Sequence, residues 1–324
     1  RSPRELSAAM GELPDGIEVE VNGLKLNVVD AGTGPGVLLL HGFPDSSALW
    51  RHQLPALVDA GFRVVVPDLR GFGGSAMPAG VDAYRMEEIL EDIRGILRIL
   101  GVPKVHVVGH DWGAMAAWMF TITQPQKVDR LVAISVGHPA MFVRPSLRQM
   151  QLSWYSLLFQ FPGIAEALFP RDDWSFLEGW TGGTGDLDRY KRDLARPGAL
   201  TAALNWYRAN LHPQRLVDAV PEFPLIEGPV MGIWGAHDLA LAEETMSGSA
   251  RYVSGPWRHQ RFDDAGHWIP LEQPDALNAL LLEFFAREAR PARARPDVRA
   301  SIGRHTTRAL AERLQSRNPD SDPV

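Results

Sequence analysis

The chain of 324 residues contains no cysteine. That absence excludes disulfide staples, thiolate metal sites, iron–sulfur clusters and any cysteine nucleophile. Only four of its 33 basic residues are lysines, and 39 acids bring the formal charge to −6, which gives no global electrostatic case for nucleic acid. Long apolar runs are also missing. No stretch approaches the ~20 residues that cross a bilayer, and the first twelve residues carry acids where a secretory leader has an apolar segment, so a soluble, cytoplasmic protein without membrane association is expected. The ten histidines include no metal-ligand pairing such as His-Glu-x-x-His, and neither a metal nor a cofactor is expected.

What is present is ample apolar material: 45% hydrophobic against 22% charged residues, enough for a large core in one α/β unit with an insertion, or in two domains. Residues 17–21 and 24–29 alternate apolar and polar around Asn22-Gly23, the dipeptide that most readily supplies the positive φ angles of a tight hairpin. Short, continuously apolar runs follow at 37–40, 64–66, 105–108 and 131–134, the pattern of strands buried on both faces of a parallel sheet. Helix-length segments at 47–60, 86–100 and 112–123 separate them, which predicts βαβ crossovers.

This rhythm stops near His138 and resumes with an apolar run at 230–234, a further strand near 260–262 and a helix over 274–287. Between lies an aromatic, helical stretch. The expected organisation is a core of residues 1–138 and 227–286, a helical cap of residues 139–226 inserted into it, and an Arg-rich extension, 287–324, with nine arginines and five acids.

The chemistry concentrates in three places. At Gly109-His110-Asp111-Trp112-Gly113 an apolar strand runs through small residues straight into a helix, the pattern of a nucleophile elbow, in which small neighbours permit the sharp turn that lifts one side chain above the sheet. The lifted residue is Asp111; an ordinary Asp helix cap is the blander alternative. Asp238 follows the strand at 230–234, and His267 sits in a Gly-flanked loop before the last helix. Nucleophile, acid and histidine thus occur in the chain order of this kind of sheet. Asp263 and Asp264 lie close to His267 in sequence, and only distances separate them from Asp238 as its partner. In the fold that this order implies, the loop His41-Gly42-Phe43-Pro44 and the residue after the nucleophile supply the backbone N–H groups of an oxyanion hole, here Phe43 and Trp112, while His41 and His110 are structural.

With these motifs the sequence resembles the α/β-hydrolase superfamily, and within it the epoxide hydrolases, over residues 16–287. Two cap segments add to the resemblance: Trp154-Tyr155 through Pro162-Gly163 to Glu166, and Ala203-Leu-Asn-Trp-Tyr207-Arg208. It implies an α/β-hydrolase fold, a mostly parallel sheet flanked by helices with an inserted cap, and it makes Tyr155 and Tyr207 the ring-opening pair. Two of only five tyrosines fall in these segments.

The chemistry agrees. A carboxylate that attacks a saturated carbon forms an alkyl ester whose carbonyl water can attack next, whereas a serine would leave a stable ether. An epoxide departs as a basic alkoxide that needs a proton, and a phenol can give one. The expected substrate is therefore a small-molecule epoxide, apolar or aromatic on account of Trp154, Phe159, Phe161 and Trp206. Two other readings share the residues: a haloalkane-type dehalogenase, against which stand Phe43 in place of a halide-binding Asn and Gly113 to Ala116 in place of a carboxylate clamp, and a non-catalytic ligand-binding protein, against which stands the full residue set. The stretch Asp68-Leu-Arg70-Gly71-Phe-Gly73-Gly74-Ser75 imitates a phosphate loop but lacks its Lys-Ser/Thr ending.

Overall fold

The computed structural model describes residues 13–211 and 222–286. The expected Arg-rich extension, residues 287–324, and part of the expected cap, 212–221, lie outside the described residues. Asn22 and Gly23 both take positive φ, 52° and 70°, and turn β1 (Ile17–Val21) back on β2 (Leu24–Ala31) as an antiparallel pair. β3 (Gly36–Leu40), β4 (Arg63–Pro67), β5 (Val105–His110), β6 (Val128–Ile134), β7 (Val230–Gly235) and β8 (Trp257–Phe262) complete one eight-stranded sheet in the order β1-β2-β4-β3-β5-β6-β7-β8. Every pairing from β4 to β8 is parallel.

Burial follows the sequence pattern. Every residue of β3, β5 and β7 is buried, as both-face burial requires. β8 is longer than its apolar part, because as an edge strand it keeps Arg258, His259 and Arg261 half-exposed or exposed, and a hydrophobic pattern cannot find it. The helix expected over 47–60 is instead a 3-10 turn, Ser47–Trp50, followed by α1 (Gln53–Asp59), which places Pro55 in the first helical turn, where its missing N–H has no partner to lose. α2 (Met86–Ile99) carries Glu87 and Glu88 in its first turn and Arg98 in its last, complementing the helix dipole. α3 (Trp112–Thr123) is apolar nearly all round because it packs against β5 and β6 within the core.

Between β6 and β7 the described residues form six α-helices: α4 (Leu147–Leu152), α5 (Trp154–Leu158), α6 (Ile164–Leu168), α7 (Ser175–Thr181), α8 (Leu187–Leu194) and α9 (Ala199–Asn210). The chain returns through β7, α10 (Glu243–Ser247), β8, α11 (Ile269–Glu272) and α12 (Pro274–Ala286). Among the described residues, no helix is long and apolar enough to cross a membrane.

Candidate active site

Asp111 sits at the β5–α3 junction with φ 53° and ψ −122°, a conformation that costs a non-glycine residue on the order of 1–3 kcal/mol. Two neighbours must be glycine for this turn to close. A Cβ on Gly109 would collide with the Gly113 carbonyl, and one on Gly113 with the carbonyls of Leu40 and His41. Asp111 is therefore not an ordinary helix cap, and its side chain makes no capping hydrogen bond.

The strained turn directs the carboxylate into the loop after β3. The Phe43 N–H donates to Asp111 Oδ1 over 2.8 Å, and the Trp112 N–H also donates to the carboxylate. The other oxygen, Oδ2, lies 3.8 Å from His267 Nε2. Burial raises the Asp111 pKa, and His267 with the two N–H groups reverses only part of that rise. On its far side, His267 Nδ1–H donates to Asp238 Oδ2 over 2.9 Å, and Asp238 Oδ1 accepts from the N–H groups of Ala240 and Leu241 at 2.8 and 2.9 Å. Burial alone would lower the His267 pKa; the charges of Asp238, Asp111 and Asp45 outweigh it and lift the imidazole to about 9. Asp263 is engaged elsewhere, with Arg261 at 2.7 Å, so distance selects Asp238.

The loop that carries His267 is held from below. The ring of His110 and the hydroxyl of Ser135 both donate to the His267 carbonyl, at 2.9 and 3.1 Å. His41 accepts the Leu69 N–H at 2.9 Å. Both elbow histidines thus bond to the backbone rather than facing the cleft.

Tyr155 on α5 and Tyr207 on α9 are both buried, their ring centroids 6.0 Å apart and nearly perpendicular. Tyr207 also meets Trp112 and Phe43 edge-on at 5.1 and 5.6 Å. Burial, then the Asp111 charge, raises both phenol pKa values, so both hydroxyls stay protonated near neutrality and within electrostatic reach of that carboxylate. Their helices are clamped together: Arg208 binds both Glu166 carboxylate oxygens, at 2.7 and 3.0 Å, and donates to the Phe159 carbonyl at 2.9 Å.

A small enclosed cavity is lined by Asp111, Tyr155, Trp180, Leu239, Ala240, His267 and Trp268. The aromatic residues expected to surround it are elsewhere. Trp154 and Phe161 face solvent at 54% and 50% exposure, while Phe159 and Trp206 are packed completely into the interior. The aromatic walls are Trp180 and Trp268 instead. Trp268 adjoins His267 in sequence, a signal that could have marked it; nothing local marks Trp180, at the end of a cap helix.

One further carboxylate belongs to this neighbourhood. Asp45 is buried, accepts the Trp268 indole N–H at 2.9 Å and faces the Tyr190 hydroxyl of α8. Burial pushes its pKa up to about 7 against the pull of those two donors. A roomier cleft lined by Arg51, Asp68, Arg189, Asp193 and Arg196 contains neither Asp111 nor His267. The imitation phosphate loop is self-occupied: the Ser47 and Gly74 N–H groups and the Asn27 amide all donate to the Asp68 carboxylate. Among the described residues, no group of three or more acidic or histidine side chains is arranged to hold a metal ion.

The family model described as alpha/beta hydrolase fold matches residues 35–274. The chain is 38% identical over 291 residues to the AB hydrolase superfamily protein YfhM of Bacillus subtilis, covering 85% of this chain and all of that protein. It is 34% identical over 309 residues to epoxide hydrolase A of Mycobacterium tuberculosis, covering 82% of this chain and 95% of that one. Among solved structures, the epoxide hydrolase of Bacillus megaterium in complex with an inhibitor superposes with a TM-score of 0.76 at 30% identity, over 84% of this chain and all of that chain.

Proposed function

Because the chain belongs to the α/β-hydrolase family and, within it, to the epoxide hydrolases, we propose that Asp111 is its nucleophile and that hydrolysis proceeds through an alkyl ester on that residue. The observation that carries this reading is the division of labour between the two Asp111 oxygens. Oδ1 accepts the Phe43 N–H, leaving Oδ2 on the His267 side.

In the first step an Asp111 oxygen attacks an epoxide carbon, the ring C–O bond breaks, and Tyr155 or Tyr207 gives its proton to the departing alkoxide. A buried phenol serves here because its raised pKa keeps it protonated until a stronger base, the alkoxide, forms beside it. In the second step His267 takes a proton from water, which adds to the ester carbonyl; the Phe43 and Trp112 N–H groups hold the oxyanion. Collapse releases a vicinal diol and restores the Asp111 carboxylate, and the proton taken from water stays on His267, as in the free enzyme.

The high His267 pKa fits this sequence. In the free enzyme the Asp111 charge helps keep the imidazole protonated. Ester formation removes that charge, and the imidazole proton passes to the tyrosinate, which leaves a free base at the moment one is needed. Asp238 retains its hydrogen bond and orients the ring throughout.

The walls of Trp180, Trp268, Tyr155 and Leu239 favour an apolar or aromatic substituent on the epoxide, since aromatic faces and edges pack best against their like. The test is His267→Gln. Incubated with styrene oxide, it should accumulate one substrate mass on the peptide bearing Asp111, and a single turnover of the wild type in heavy-oxygen water should give unlabelled diol, because the diol takes its new oxygen from Asp111. Undiminished hydrolysis by the variant with no adduct would overturn the scheme.

A further inference from the structure

Like Asp111 after β5, Ser135 after β6 carries a side chain on positive-φ backbone, at 69°. The Val136 N–H donates back to the Ile134 carbonyl at 2.9 Å, so Ser135 is the centre of a γ-turn of the positive-φ kind, which is rare and strained. Glycine would adopt this backbone freely. The sheet itself asks nothing of the side chain here: it is the Ser135 N–H that extends the β6–β7 ladder, donating to the Ile233 carbonyl at 2.9 Å. A fully buried serine where glycine fits with less strain points to a use for its hydroxyl.

That hydroxyl donates to the His267 carbonyl at 3.1 Å, and the His110 ring donates to the same oxygen at 2.9 Å. His110 immediately precedes Asp111, and its register partner across β5 and β6 is Ile134, the residue before Ser135. The two donors therefore stand on adjoining strand ends, one of which carries the elbow, and they fix the His267 peptide relative to Asp111. From the other side, the Glu272 carboxylate accepts the N–H groups of Gly266 and Trp268 at 2.6 and 2.9 Å. These four hydrogen bonds hold the backbone around His267, while its ring meets Asp238 at 2.9 Å and lies 3.8 Å from Asp111.

We propose, building on Asp111 as the nucleophile, that Ser135 is a positioning residue for the second step: its hydroxyl, presented by a strained turn, sets the His267 peptide so that Nε2 faces the water that attacks the Asp111 ester. Ring opening uses Asp111 and a phenol and needs no base at His267. Loss of the Ser135 hydroxyl should therefore act on ester hydrolysis and spare alkylation, because only the second step depends on where the imidazole stands. A serine that merely filled space would affect both steps through the fold, or neither.

Two variants of the full chain separate the hydroxyl from the strain. Ser135→Ala removes the hydroxyl and keeps the strain, and Ser135→Gly removes both. In rapid mixing with styrene oxide, both should alkylate Asp111 at the wild-type rate and hydrolyse the ester about 10-fold more slowly, so that substrate mass builds up on the peptide bearing Asp111 during turnover. Ser135→Gly should nevertheless melt about 2–4 °C above Ser135→Ala, because glycine accepts the turn without strain. Equal slowing of both steps, wild-type ester hydrolysis in the two variants, or a Ser135→Gly protein no more stable than Ser135→Ala would overturn the proposal. His267→Gln measured alongside keeps this apart from the reaction scheme. An adduct there, with wild-type hydrolysis in Ser135→Ala, removes the role of Ser135 alone, whereas no adduct there removes Asp111 as the nucleophile and this proposal with it.

Discussion

Arg208 grips both carboxylate oxygens of Glu166, 42 residues earlier in the chain, at 2.7 and 3.0 Å, and so joins the helix bearing Tyr207 to the segment bearing Tyr155. Arg208 is 6% exposed and its third contact is the Phe159 carbonyl, one turn beyond Tyr155. Removing the carboxylate charge leaves a buried guanidinium short of its partner. Glu166→Gln should cost about 1–3 kcal/mol in stability, a value reduced for the partial exposure of Glu166. If the clamp also sets the spacing of the two phenols, stopped-flow measurement should find alkylation of Asp111 slowed about 10-fold with ester hydrolysis unchanged.

Each phenol should contribute to ring opening and not to the second step. Tyr155→Phe and Tyr207→Phe should each lower the alkylation rate about 10- to 100-fold, and the double variant should lose turnover almost entirely, because the departing alkoxide is then without a phenol to protonate it. Burst kinetics with a chromogenic epoxide separates the two steps. Single variants that alkylate at the wild-type rate would remove the tyrosines from the mechanism.

Asp111→Asn should lower the His267 pKa from about 9 by removing one of the charges that raise it, even though Asp238 remains at 2.9 Å. The imidazole resonances of the variant and the wild type, followed through a pH titration, check the direction. An unchanged pKa would mean that Asp238 alone holds the proton on the ring, and the timing argument for the second step would fail.

Asp45 makes stability depend on pH in a definite direction. Its folded pKa of about 7 stands above the unfolded value of 3.8, so its contribution is complete below the unfolded value and is lost as pH rises through 7. His267 acts in the same sense at higher pH: its contribution is complete below 6.5 and is lost as pH rises through about 9. Wild-type stability should therefore fall from pH 5 to pH 9, by about 2–4 kcal/mol for the Asp45 part. Asp45→Asn keeps an acceptor for the Trp268 indole without the charge. Its stability relative to wild type, read from urea melts, should improve as pH rises, and a constant difference across that range would refute the assignment.

Gly42 tests how closely the oxyanion loop approaches the elbow. A Cβ there would run into the Asp111 carboxylate and the Trp112 N–H. Gly42→Ala should depress turnover about 100-fold or more by displacing the carboxylate from its N–H donors, with the fold retained by circular dichroism. Near-normal turnover would show that the loop can retreat and that the hole is not rigid.

The strands β1, β3, β5 and β7 and the elbow were legible in the sequence because their signals are local. A hairpin needs residues that accept positive φ, strands buried on both faces need unbroken apolar runs, and a strained turn between strand and helix needs glycine on either side of the lifted residue. Chain order then placed Asp111, Asp238 and His267 in one set. The edge strand β8 reads short in the sequence, since an edge needs no continuous apolar run, and the four-residue 3-10 turn Ser47–Trp50 before α1 is too short to carry a periodic signal.

What tertiary structure alone decided is which groups meet. Sequence left Asp263 and Asp264 open beside Asp238; only distance separates them, because a carboxylate 29 residues from His267 can reach Nδ1 once two strands lie in register. The aromatic lining could not be read from composition either. Trp154 and Phe161 face outward while Trp180 and Trp268 close the cavity, because helix packing, and not aromatic content, determines which side of each cap helix is inside.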